Sequence, residues 1–169
     1  MFLLGQIIGV IGFVLAVYSM LIKNDRKMKN YFGVCTVVVA LSYYLIGAFA
    51  GSVSMLVSSA RNFVAAYSSK SKSLYILFML ITLVCGLYTY EKISDILPII
   101  GAMVATTALF MFEGISMRLL IISACVLWMA YDIINSAMGP AILQTFNIGA
   151  CLYAIRGIKV LKQESEPQL

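Results

Sequence analysis

The chain has 169 residues, of which 62% are hydrophobic and 11% charged, with a net charge of +5 and no histidine. Soluble domains carry about 45–50% apolar and about 25% charged residues, so too little polar surface exists here to coat a water-soluble core. Positive charge in such a chain reports which loops face the cytoplasm rather than a nucleic-acid partner, and a chain without histidine has no imidazole base, triad or zincin helix.

A crossing helix needs about 17–25 apolar residues. The N-terminus, MFLLGQIIGV, lacks the basic n-region of a cleavable signal and reads as the start of a first span over about 3–22. KNDRKMKN stops it. A second run covers about 31–49 and turns at AGS, and a third covers about 53–69 and ends at SKSKS. A fourth spans about 74–90, ended by EKISD. The fifth, about 96–112, carries Pro98 in its first turn, where a missing N–H does no harm. The sixth runs over about 119–136 to MGP, and the seventh over about 140–158 into a polar tail.

The expected fold is all-α: a polytopic membrane protein of seven transmembrane helices, arranged as two parallel three-helix bundles joined by a linker helix. Residues 1–73 form the first bundle, 74–95 the linker helix and loop, 96–158 the second bundle, and 159–169 a cytoplasmic tail. Lys23, Arg26, Lys27 and Lys29 follow the first run, Lys70 and Lys72 the third, and Arg118 the fifth. Arg156, Lys159 and Lys162 follow the seventh. The alternate loops hold only Lys92, balanced by Glu91 and Asp95. The positive-inside bias therefore puts the N-terminus outside and the C-terminus in the cytoplasm.

Runs one to three also resemble runs five to seven. A shift of 92 aligns Ile7-Ile8-Gly9 with Ile99-Ile100-Gly101, Ala16 with Ala108, and Arg26 with Arg118. Past the first loop a shift of 88 aligns Val38 with Val126, Tyr43 with Tyr131, Ile46 with Ile134, and Gly51 with Gly139. Repeats of this kind occur in transporters, with the solute between the halves near the midplane. Gly9, Gly12, Gly101, Gly149 and Gly157 are read as points of close helix approach. Cys35, Cys85, Cys125 and Cys151 lie in apolar runs without C-x-x-C spacing and read as small hydrophobes.

ILPIIGAMVATTALFMFEGISMRLLI (96–121), LWMAYDIIN (127–135), SARNF (59–63) and NIGACLYAIRGIKVLK (147–162) resemble the YgjV-type family of bacterial inner-membrane proteins. The resemblance covers about 5–162. It implies an inner-membrane location and carries over no activity. The three-one-three layout is similar, on topology alone, to the SWEET, PQ-loop and PnuC-like transporter group. The Pro-Gln dipeptide is absent, since Ile99 follows Pro98 and Ala141 follows Pro140.

Charged and amide side chains inside spans mark sites by default. Arg61, in the third run, lies roughly 14 Å from the outer end, and Asp132, in the sixth, roughly 6–8 Å, at a rise of about 1.5 Å per residue. An arginine side chain bridges that gap, so Asp132 is the expected partner of Arg61. The bland alternatives are an arginine bound to helix-end carbonyls and an aspartate facing outside water. Asn62 adjoins Arg61 about 100° round the helix, and Gln144 and Asn147 share a face. Amides of this kind serve as interhelical glue or as solute ligands. Trp128 shares a stripe with Tyr131 and Asp132 and suits either packing or a ring-shaped solute. The expected substrate-binding set is Arg61, Asn62, Trp128, Asp132, Gln144 and Asn147, with no catalytic residue, metal or cofactor.

An enzyme is not expected: an aspartyl protease needs a second aspartate within a span, and Asp25 and Asp95 lie in loops. The expected function is small-solute transport, with an anionic solute among the candidates and a midplane pocket between the repeats. The alternative is a receptor or assembly factor of the same fold that binds a peptide or small ligand; uptake into liposomes separates the two. The expected partners are the solute and the bilayer, not nucleic acid, and a homo-oligomer stays open.

Overall fold

A computed structural model describes residues 2–46, 49–68, 70–88, 90, 92–134 and 138–165. Over these residues the chain is helical, with no strand: α1 (Phe2–Leu21), α2 (Asp25–Ile46), α3 (Phe49–Tyr67), α4 (Lys72–Tyr88), α5 (Ile96–Met111), α6 (Gly114–Ile134) and α7 (Met138–Ser165). A 3-10 turn, Ile93–Asp95, precedes α5. Among the described residues, four helical stretches are long and apolar enough to cross a membrane: Leu3–Leu21, Ile93–Met111, Gly114–Ile134 and Ala141–Val160. Lys72–Tyr88 is apolar but shorter. The second and third expected spans are helical too, but α2 begins inside the charged loop and α3 carries four serines besides Arg61 and Asn62.

Local chemistry sets the helix starts. The expected second run begins near residue 31, yet α2 starts at Asp25, because the side chain of Asn24 accepts the N–H of Lys27 at 3.0 Å and caps it. Asp25 in the first turn adds a favourable charge at the positive end. Before α5, the Asp95 carboxylate accepts the N–H of Lys92 at 2.9 Å, closing KISD into the 3-10 turn. α7 runs on to Ser165, about two turns beyond the expected 158; residues 166–169 of the expected tail lie outside the described part, as does Glu91.

The chain divides into two compact units, Met1–Ser69 and Lys70–Leu169. In the first, α2 packs against α1 and α3. Ser42 donates to the carbonyl of Gly5 at 2.7 Å and Cys35 to that of Gly12 at 3.2 Å, so α1 and α2 run antiparallel with small residues at the crossing. A Cβ on Gly12 would sit 2.6 Å from Val39, and one on Gly33 would sit 3.0 Å from the Phe63 ring. Ser59 donates to the Gly33 carbonyl at 2.9 Å and Lys29 to that of Ala65 at 3.4 Å, which fixes α2 against α3. Arg26 lies over the Tyr67 ring, 4.4 Å from its centroid.

In the second unit α6 packs between α5 and α7, and α4 packs on α5. Phe78 stacks on Phe110 with centroids 5.7 Å apart, and the hydroxyls of Tyr75 and Thr107 lie 3.4 Å apart. Gly101 gives α6 its close approach to α5: a Cβ there would meet the Trp128 indole at 3.0 Å. The expected close approach at Gly149 is not seen, since a Cβ there meets nothing within 4 Å. None of the four cysteines forms a disulfide; Cys85 is exposed and the others are buried.

The units share one internal pattern. Gly114, where α6 begins, follows Asp25, where α2 begins, by 89 residues. At that offset Gly12 meets Gly101 and Val39 meets Trp128, so the same glycine contact recurs in each unit. Buried residues also coincide: Met28 with Met117, Lys29 with Arg118, Thr36 with Cys125, Asn62 with Cys151, and Ala65 with Ala154. One register of 89 replaces the two expected registers of 92 and 88. Arg118 is thus equivalent to Lys29, not to Arg26.

Candidate functional site

The six residues expected at the site divide between the units: Arg61 and Asn62 in the first, Trp128, Asp132, Gln144 and Asn147 in the second.

On α3, Ser52, Ser59, Asn62 and Ala66 recur at helical spacing and are buried. Ser59 on this stripe holds the Gly33 carbonyl of α2. Asn62, one turn on, is 0% exposed, and neither its Oδ1 nor its Nδ2 has a hydrogen-bond partner. Arg61 stands about 100° round the helix and is buried as well, so both neighbouring positions face protein. Arg61 has interactions of its own, while its Nε lacks a hydrogen bond. The one carboxylate in the sequence of this unit is Asp25, at the start of α2. A buried amide with both ends unsatisfied loses about 1–3 kcal/mol per group. Asn62 beside Arg61 therefore offers a donor, an acceptor and a positive charge to a molecule with complementary groups.

On α6, Arg118, Cys125 and Asp132 recur every seven residues and are buried, so they lie along one stripe. Gln144, Asn147 and Cys151 form the matching stripe on α7. Two observations set these stripes against each other. The Thr145 hydroxyl approaches the Met129 sulfur at 3.7 Å, and Cys151 lies within electrostatic range of both Cys125 and Arg118. At the far end, Asp132 Oδ2 and Asn147 Oδ1 are buried acceptors without a hydrogen-bond partner. Gln144 is half-buried. Trp128 packs over Gly101 and meets Tyr131 edge-on, with centroids 6.3 Å apart.

Sequence reading missed Lys29 and Arg118. Both read as loop charges; both are in the first turns of helices and buried, at 2% and 0% exposure. The asparagine just before α2 was the available signal that the helix begins earlier.

A family model described as a bacterial inner membrane protein, Imp-YgjV, matches residues 3–162. The chain is 24% identical over 167 residues to inner membrane protein YgjV of Escherichia coli strain K12, covering 97% of this chain and 90% of that protein. No solved structure matches.

Proposed function

The chain belongs to the YgjV family of bacterial inner membrane proteins, and from that premise we propose that it carries a small solute across the inner membrane without a chemical step. The proposed arrangement is seven crossings, as two three-helix bundles joined by α4, with the N-terminus outside and the C-terminus in the cytoplasm. The uniform 89-residue offset supports a repeated architecture, which is a transporter layout.

The observation that carries the reading is Asn62: fully buried, unsatisfied at both side-chain atoms, and next to Arg61. An arginine near the middle of a span is unfavourable by roughly 2.5–3.5 kcal/mol on insertion scales. A role as glue is open to a neutral side chain at lower desolvation cost, whereas anion capture needs a planar, multi-donor cation. The proposed solute therefore presents an acidic group to Arg61 and a mixed donor–acceptor edge to Asn62.

The test is ligand-induced thermal stabilisation of the purified protein across a panel of small metabolites, followed by uptake of any hit into liposomes. A hit is expected to lose its stabilisation in Arg61→Lys, which keeps the charge but not the fork, while the unliganded protein keeps its Tm. A hit whose stabilisation survives both Arg61→Lys and Arg61→Gln makes the arginine structural and overturns this site. Binding without uptake assigns the receptor alternative.

A further inference from the structure

The strongest unexplained feature outside Arg61 and Asn62 is the outer end of the α6–α7 seam. Asp132 Oδ2 and Asn147 Oδ1 are both acceptors, both belong to residues more than nine-tenths buried, and neither atom has a hydrogen-bond partner. The Met129–Thr145 contact puts Asp132 and Asn147 about five residues apart along the antiparallel pair, roughly 7–8 Å in axial distance. Helical side chains lean toward the N-terminus of their own helix. On antiparallel helices Asp132 and Asn147 therefore lean toward each other and narrow that gap. Two buried acceptors facing across one seam repel unless something positive lies between them.

We propose that Asp132, Asn147 and Gln144 form a binding site for a small monovalent metal cation, sodium in particular. Charge balance selects the valence. The site holds one carboxylate and two neutral amides, so one positive charge neutralises it, whereas a divalent ion leaves a net charge buried in an apolar unit. The chemistry of the donors agrees, since carboxylate and amide oxygens are hard ligands suited to hard cations. The helix termini do not compete: the negative end of α6 and the positive end of α7 meet at the same end of the pair and offset each other. The 3-10 turn that touches α6 carries charged side chains at Asp95 and, just before it, Lys92. Lys92 is exposed, and the Asp95 carboxylate is held by its N–H. Trp128, one turn before Asp132, packs over Gly101 of α5.

The inference stands apart from the solute reading, because its residues and its readout differ. The test is the Tm of the purified full chain in sodium, lithium, potassium or choline chloride at fixed ionic strength, without any solute. Sodium is expected to raise the Tm by a few degrees over choline, saturably. Asp132→Asn is expected to abolish that rise and Asn147→Leu to weaken it at least tenfold in apparent affinity, while Arg61→Lys leaves it intact. A wild-type Tm equal in all four salts overturns the site, as does a sodium shift that persists in Asp132→Asn. A Tm that follows pH but not sodium also overturns it and assigns the missing positive charge to a proton. Loss of the sodium shift in Arg61→Lys also overturns the site, since Arg61 is not one of its ligands.

Discussion

Lys29 shows how much a single position changes once its neighbours are known. In sequence it closes the basic run KNDRKMK; in the structure its stem is buried in the first unit and its ammonium reaches the Ala65 carbonyl at 3.4 Å. Lys29→Met keeps the stem and removes the head, so it is expected to lose only about 1 kcal/mol of stability. Lys29→Ala removes the packed stem as well and should lose about 2 kcal/mol or more. Thermal unfolding in detergent separates the two, and equal losses would show that the stem contributes nothing. The burial of Lys29 and Arg118 was not legible because loop charges are counted by proximity in the chain, whereas burial depends on a partner helix 36 residues away for Lys29. Arg61 and Asn62, by contrast, were legible, because a charge and an amide inside an apolar run stand out without any tertiary information.

Helices were legible as apolar runs; their ends and contacts were not. Asn24 caps α2 through one side-chain bond, so Asn24→Ala is expected to weaken the start of that helix by about 1 kcal/mol, read as faster hydrogen exchange over 25–30. The glycines separate into two kinds that the sequence does not distinguish. Gly101 lies under the Trp128 indole, where a Cβ would come within 3.0 Å of the ring, while Gly149 faces open space. Gly101→Ala should therefore lower the Tm by displacing the indole, and Gly149→Ala should leave it unchanged or raise stability by up to about 1 kcal/mol through helix propensity. The same sign for both changes would contradict the close approach at Gly101. Nothing in a glycine's immediate sequence says which face it occupies; that comes from the opposing helix.

At the scale of the molecule, the family resemblance read over about 5–162 agrees with the family match over 3–162. The distinctive stretches hold the chain's one tryptophan and the Arg61 segment, which a greasy background does not produce by chance alone. The repeat was visible but misregistered, because identities in apolar sequence are few, whereas burial and glycine contacts fix one offset of 89. Setting aside the buried Lys29 and Arg118 leaves Lys23, Arg26, Lys27, Lys70, Lys72, Arg156, Lys159 and Lys162 to set orientation. The bias then predicts a cytoplasmic reporter after Leu169 and a cysteine near Gly139 labelled from outside. Periplasmic activity of the C-terminal fusion would reverse the orientation.

Lys70 has a backbone consequence of its own. It adopts φ 71°, its N–H binds the Phe110 carbonyl at 2.7 Å, and its ammonium meets Glu113 at 3.3 Å. Lys70, the first residue of the second unit, is thereby fastened within that unit, and each side-chain hydrogen bond described above closes within one unit. Continuity of the peptide at 69–70 is then not what holds either unit's helices together. A stop and a new start codon placed there should yield two polypeptides, the second opening with Lys70 and Lys72 on the side where an independently inserted piece needs its positive charge. Recovery of each half, folded, from membranes would show that this one gene can be rewritten as two.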